Sequence, residues 1–244
     1  MTYDIKSKIE SAVNILSEHY DDKDGFIVGI SAGKDSSIVK HLINSNDFKA
    51  KFYYVETTIE NEVVINYLKT FHPDVEWITA EKSICDLIRE KGYLPLKPSR
   101  YCCREVKDVG FNKILSMPGI KVLGRRIIDS HGQKVADRSL KQNNTVINPI
   151  YDWNNDDAWE YIKQFSVTVC PSYDDYGKSY ECTLCPIYYS DTKNLMIDRH
   201  PNTINKIREA AIDAFNRNTM LQNEYQNADS YWDWWVNLYV RPTK

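Results

Sequence analysis

The stretch Gly29-Ile30-Ser31-Ala32-Gly33-Lys34-Asp35-Ser36-Ser37 decides how this chain folds. The apolar run Phe26-Ile27-Val28 before it reads as a short buried strand. After it, Ile38, Val39, His41, Leu42 and Ile43 are spaced as one face of a helix. Strand, tight glycine turn and helix start make a phosphate cradle, because backbone N–H groups and the positive end of the helix dipole point to one place. Asp35, Ser36 and Ser37 also suit a first helical turn. A Walker A loop has four residues between its first glycine and Gly-Lys, then Ser or Thr. Here three residues separate Gly29 from Gly33-Lys34 and Asp35 follows, so this loop is of another kind. The plainer alternative is an ordinary strand-to-helix turn with a capping aspartate.

Working outward, Ile5, Ile9, Val13 and Leu16 have helical spacing at the start of the chain. Strands are expected at 26–30, 52–55, 75–78, 120–123 and 145–147, with helical patterns at 35–46, 60–71, 82–91 and 104–116 between them. Such alternation predicts an α/β fold, a parallel sheet with helices on both faces. Ligands of such sheets sit beyond the carboxyl ends of the strands. Residues 31–37, Glu56-Thr57 after strand two and Gly124-Arg125-Arg126 after strand four all fall there, which points to one site. A further helix is expected over 156–164, with Trp159 and Ile162 inward. Beyond about residue 166 come loops, cysteines and a helical tail. The reading is therefore a nucleotide-binding domain over 1–165 and a mainly helical C-terminal extension over 166–244. Trp232, Trp234 and Trp235 in that tail read as packing residues.

The 244 residues suffice for a sizeable core, and the 42% hydrophobic content is ordinary for a soluble protein. No apolar run approaches the ~20 residues of a membrane span, and the N-terminus lacks the pattern of a secretory signal. Both point to the cytoplasm, where six cysteines are metal ligands or free thiols rather than disulfides. The net charge of −3 is uneven: residues 97–141 carry eleven Lys/Arg against four Asp/Glu. That basic middle suits a small polyanion such as a nucleotide or sulfate, or else a solvated helix face. Aromatic residues do not interleave with it, so nothing supports a single-strand nucleic-acid platform, although nucleic acid stays open as a substrate. The five histidines, His19, His41, His72, His131 and His200, are scattered, and most read as surface or helix residues. Cys85, among Ile84, Leu87 and Ile88, reads as core, and Cys170 as the better candidate for a reactive thiol near a metal site.

Arg100-Tyr101-Cys102-Cys103-Arg104 and Glu181-Cys182-Thr183-Leu184-Cys185-Pro186 supply four thiolates from two separated segments. Four such ligands could hold zinc or an iron–sulfur cluster. Adjacent cysteines are strained around one tetrahedral ion and less so around the separated corners of a cuboidal cluster. Arg100, Arg104 and Lys107 could offset the thiolate charge.

The loop resembles the Ser-Gly-Gly-x-Asp-Ser signature of the PP-loop ATP pyrophosphatase superfamily, with Ala32 in place of the first glycine. Three further stretches resemble its phosphoadenosine phosphosulfate (PAPS) reductase family: 97–103, Leu123-Gly124-Arg125-Arg126-Ile127-Ile128-Asp129-Ser130, and 173–186. The Cys-Cys and later Cys-x-x-Cys are similar to the branch with a [4Fe-4S] cluster, which includes adenylyl-sulfate (APS) reductases and DNA phosphorothioation enzymes. The resemblance implies a PP-loop fold and Cys102, Cys103, Cys182 and Cys185 as cluster ligands. It also implies phosphate or sulfate contacts from Ser31, Gly33, Asp35 and Ser36, and an anion-binding Arg126. Two departures matter. No cysteine follows Cys185 to act as the sulfate-reducing members' tail nucleophile, and Gly-Lys-Asp-Ser looks more like the ATP-cleaving members.

The expected function is therefore an adenine-nucleotide enzyme that splits ATP to AMP and pyrophosphate in sulfur transfer or adenylation. Lys34 and Mg²⁺ would neutralise the leaving pyrophosphate, and Asp35 would position the metal or the helix turn. Ala32, Ser37, Glu56, Thr57, Gly124 and Arg125 complete the expected cofactor-binding set. The alternatives are APS or PAPS reduction with a thiol supplied elsewhere, and a non-catalytic nucleotide-binding subunit. A sulfur donor or redox partner protein and a homo-oligomer are also expected; a membrane is not.

Overall fold

The computed structural model describes residues 5–129 and 146–240. They divide into two compact units, and the chain passes between them more than once. The first unit comprises described residues up to 54, 66–78 and 112–179; the second comprises 55–65, 79–111 and those from 180 on.

The first unit is built on the sheet. Helix α1 (Lys6–His19) leads into β1 (Phe26–Ile30), α2 (Lys34–Ser45) and β2 (Ala50–Val55). β3 (Val75–Ile78) follows α3 (Glu62–Phe71); β4 (Ile120–Val122) follows α5 (Asp108–Ser116); β5 (Val146–Ile147), α6 (Asn155–Phe165) and α7 (Ser172–Tyr176) come later. The strand order is β3-β2-β1-β4-β5. β1 runs parallel to β2, with Phe26 opposite Ala50 and Ile30 opposite Tyr54, and parallel to β4, with Val28 opposite Val122. β4 and β5 are also parallel. Phe26, Val28, Ile30, Tyr54 and Val122 are all buried, as expected of strands covered on both sides. β1 is central, so the loop after it leaves from the middle of the sheet. All five expected strands form; Thr145 lies outside the described residues.

Helix α6 departs from its expected facing. Ile162 is buried, but Trp159 is 40% exposed and lies edge-on to Tyr173, with ring centroids 5.4 Å apart. The inward stripe is Asp157, Ala158, Tyr161 and Ile162. Asp157 can be buried because it is held by a capping box with Asn154 and by the Lys8 ammonium at 3.0 Å.

The second unit contains α4 (Ile84–Lys91) and the helices α8 (Ser190–Arg199), α9 (Pro201–Arg217), α10 (Thr219–Glu224) and α11 (Ala228–Asn237). Ile84, Leu87 and Ile88 of α4 pack with α9, whose Ala210, Ala211 and Ala214 permit close approach. On α11, Trp235 is buried and donates its indole N–H to the Pro95 carbonyl at 2.8 Å, while the buried Tyr231 accepts the Leu94 N–H at 2.7 Å. Trp232 is also buried, but Trp234 keeps 37% of its surface exposed. Replacing Trp235 by Ala should cost about 3–5 kcal/mol through cavity formation. Trp234→Ala should cost well under half of that. Urea unfolding of the two variants checks the contrast.

Candidate functional site

In the first unit, β1 delivers the chain into a short turn, and α2 begins at Lys34 with Gly33 as its N-cap. Gly33 has ordinary extended dihedrals (φ −77°, ψ 145°), so its role is spatial rather than conformational. A Cβ there would lie 3.0 Å from Ser31 Oγ and 3.4 Å from Ser179 Oγ. Serine hydroxyls organise the turn. Ser31 Oγ accepts the Gly33 N–H at 3.1 Å, and Ser36 Oγ accepts the Ser31 N–H at 3.1 Å. Ser37 Oγ lies 3.0 Å from the Tyr67 hydroxyl. The Lys34 N–H donates to the Tyr173 hydroxyl at 3.0 Å. The first-turn amides of a helix have no acceptor within it, which leaves them suited to an external anion.

The charged groups of this turn are locked together. Lys34 Nζ is 3.0 Å from both carboxylate oxygens of Asp35, and Arg126 Nε is 3.1 Å from Asp35 Oδ1. Arg126 is only 3% exposed; its Nη atoms reach the Asn154 carbonyl, Asn155 Oδ1 and Asp129 Oδ1 at 3.1–3.2 Å. Burial raises the pKa of Asp35, against the opposing pull of Lys34 and Arg126. Gly124 makes this contact possible. A Cβ on it would lie 2.7 Å from the Asp35 carbonyl carbon and 2.9 Å from the Ser36 nitrogen. Arg125 is exposed, and Ala32 is buried.

The second unit holds the cysteines. Cys102, Cys103, Cys182 and Cys185 line one cavity of about 30 Å³, with Thr57 and Lys107 also on its wall. Cys103 opens a π-helical turn, Cys103–Lys107, a form often found at functional sites. The second pair is set by a tight turn: Thr183 N–H donates to the Ile59 carbonyl at 2.8 Å, and Tyr188 N–H to the Cys185 carbonyl at 3.0 Å. Between them Leu184 takes φ +55°, a left-handed conformation that costs a non-glycine residue energy. The Cys182 thiol donates to Thr57 Oγ1 at 3.5 Å, and Thr57 Oγ1 donates to Glu60 at 2.8 Å. Glu56 instead accepts from Thr79 at 2.9 Å. Glu56 and Thr57 thus belong to the cysteine-bearing unit, and Thr57 touches one of its thiols.

The hydrogen bond within the Cys102–Cys103 pair pulls the Cys103 thiol pKa down, with help from Arg100 and Lys107. The same bond, together with burial, pushes Cys102 up. Burial pushes Cys182 up to about 12 and raises Cys185. Lys107 pairs with Glu181 at 2.6 Å. Among the described residues no set of three His, Cys, Asp or Glu closes on a single metal ion as placed. The donor chemistry nonetheless suits a metal centre: four free thiols, a shared cavity and a cation on its wall.

The other two cysteines differ from the sequence expectation. Cys85 is half-buried at the side of α4, 3.7 Å from the Lys206 carbonyl, rather than in the core. Cys170 is wholly buried, with the Ser172 hydroxyl donating to its sulfur at 3.1 Å, so it is not an accessible nucleophile. His72, beside the Tyr67 hydroxyl at 3.0 Å, and His200, 3.2 Å from Glu62, are two histidines that the structure buries. Sequence reasoning missed Tyr173 and Ser179 as neighbours of the loop, although both lie in the 173–186 stretch that it quoted.

Residues 25–187 match the phosphoadenosine phosphosulfate reductase domain, two thirds of the chain, and the chain belongs to that family. No curated protein matches it by sequence. Among solved structures, an NH3-dependent NAD synthetase from Campylobacter jejuni is similar in fold, at 14% identity and TM-score 0.50 over 86% of this chain and 96% of that one. A PAPS reductase from Candida auris aligns at 12% identity and TM-score 0.49 over 74% of this chain and 96% of that one. An NMN synthetase from Francisella tularensis aligns at 11% and 0.48 over 99% and 100%. Among the described residues no helix is long and apolar enough to cross a membrane.

If the Gly124 contact positions the loop, Gly124→Ala should push the first turn of α2 away and weaken adenine-nucleotide binding at least tenfold by calorimetry. Unchanged affinity would show that the loop does not depend on that contact.

Proposed function

We propose that the chain is an adenine-nucleotide-cleaving iron–sulfur enzyme that converts ATP to AMP and pyrophosphate in an adenylation or sulfur-transfer reaction. The observation that carries this reading is the Lys34–Asp35–Arg126 contact at the start of α2. Two buried cations converge there on one carboxylate, at a helix start facing the end of a parallel strand.

In this reading the nucleotide phosphates lie against the backbone of residues 31–36. Lys34 and Arg126 exchange Asp35 for phosphate oxygens. An acceptor oxygen attacks the α-phosphorus as its bond to the pyrophosphate oxygen breaks, giving an adenylated acceptor and pyrophosphate, whose charge stays on Lys34 and Arg126. A sulfur nucleophile then bonds to the acceptor as the acceptor's bond to the adenylate oxygen breaks, and AMP leaves. Asp35, released from Lys34, is the residue that would hold Mg²⁺, which would supply further neutralisation of the phosphates. Ser31, Ser36 and Ser37 keep the turn in shape through the hydrogen bonds already described. Cys102, Cys103, Cys182 and Cys185 would hold a [4Fe-4S] cluster, whose chemistry is sulfur handling, electron transfer or structural bracing. One tetrahedral zinc needs sulfurs about 3.8 Å apart, from Zn–S bonds near 2.3 Å. A cuboidal cluster accepts a wider set.

Family membership favours a second reading, reduction of APS or PAPS to sulfite. That reaction needs an attacking thiolate. Cys170 is sealed, and burial raises the pKa of Cys85, so the thiol would come from a partner. Purified protein given ATP and Mg²⁺ should release AMP and pyrophosphate slowly. Given APS or PAPS with thioredoxin, it should release little sulfite. Lys34→Met should lower kcat by about 10²–10³. Efficient sulfite formation without ATP cleavage would replace the first reading by the second.

A further inference from the structure

Lys193 is the most anomalous charged group in the second unit. It lies in the first turn of α8, where its N–H donates to the Tyr189 carbonyl at 3.1 Å. Its side chain is 0% exposed. Among the described residues the ammonium makes one hydrogen bond, to the Trp235 carbonyl at 3.0 Å, and it sits 4.1 Å from the centre of the Trp235 ring and 5.7 Å from that of Tyr239. No carboxylate among the described residues lies within salt-bridge distance of it. An ammonium has three donors, and a buried one without a counter-charge costs several kcal/mol. A methionine would fill the same space without that cost, so the cation calls for an anion to offset it.

The chain path says where that anion lies. Tyr188 turns back on the Cys185 carbonyl, α8 starts at Ser190, and the Ser190 N–H is tied to the Tyr239 carbonyl at 2.7 Å. Lys193 thus lies eight residues beyond Cys185, on the helix that the turn at Cys185 leads into. Trp235, which holds the ammonium, donates its indole N–H to the carbonyl of Pro95, and Pro95 lines the cavity of the four cysteines. Burial lowers the lysine's pKa to about 8, against an opposing pull from Cys185.

We infer that Lys193 is the buried counter-cation of the metal centre held by Cys102, Cys103, Cys182 and Cys185. The inference rests on the iron–sulfur reading above. A [4Fe-4S] cluster on four thiolates is a net anion, and reduction adds one more negative charge. A fixed ammonium in a site closed to water favours the reduced form and raises the potential. Lys193 is a positioning residue in this role: it touches no substrate.

The test uses the full chain, purified anaerobically, as wild type, Lys193→Met and Lys193→Arg. Iron and sulfide content, redox potential and the melting temperatures of cluster-loaded and cluster-stripped protein are measured for each. Lys193→Met should shift the potential to more negative values and shrink the gain in melting temperature on loading. It should leave the stripped protein no less stable, since it removes an uncompensated charge. Lys193→Arg should stay close to wild type in potential. Failure of Lys193→Met alone to hold the cluster would also support the role. A loaded Lys193→Met protein with unchanged potential would overturn it, as would loss of the cluster in both variants, which would mark Lys193 as a packing residue. Wild-type protein without iron and sulfide would instead overturn the metal-centre reading, and this inference with it.

Discussion

The backbone of Gly124 lies against the carbonyl of Asp35 and the amide of Ser36, closer than any side chain would allow. This approach sets the end of β4 against the first turn of α2. It brings Arg126, two residues on, to the carboxylate that Lys34 also holds. Without it the loop would keep its serine hydrogen bonds but lose its second cation. Arg126 is buried and held by Asn154, Asn155 and Asp129, so it cannot readily swing away to find another position. One missing Cβ thus converts a strand-to-helix turn into a site with two fixed positive charges.

The second unit solves a different electrostatic problem. Four thiols in one cavity repel one another once ionised; burial raises the pKa of Cys182 and Cys185, and the bond with Cys103, together with burial, raises that of Cys102. Two groups on the wall of that cavity face this problem: Lys107, and Thr57, whose hydroxyl accepts from the Cys182 thiol. The left-handed Leu184 and the π-helical turn at Cys103 are local strains that point the thiols where regular structure would not. Strain of this kind is retained when the surrounding packing holds it, and Leu184 is itself buried.

The strands were legible because each is buried and therefore apolar along its length, and the loop was legible because its chemistry is local. The pairing of the two cysteine motifs was legible from pattern alone, across 78 intervening residues. What failed did so for identifiable reasons. Trp159 looked inward because a large apolar residue normally does, yet the buried stripe of α6 includes Asp157, whose burial depends on Asn154 and Lys8. His200 gave no sign of its burial because its partner Glu62 lies 138 residues away, and His72 is buried at the end of α3, against the Tyr67 hydroxyl of that same helix. Tyr173 entered only as part of a motif, because its contact with the Lys34 amide spans 139 residues. Lys193 carried no sequence signal: a lysine in a first helical turn ordinarily reads as exposed.

The central claim is that one chain carries both a nucleotide loop and a four-cysteine iron–sulfur centre. A Mössbauer spectrum of the anaerobic, ⁵⁷Fe-enriched protein tests it most directly. The account predicts the signal of a four-iron cluster with all irons in sulfur coordination, lost when Cys103 and Cys182 are both replaced by Ser. Stoichiometric zinc with no iron signal, or an iron signal indifferent to those two cysteines, would contradict it.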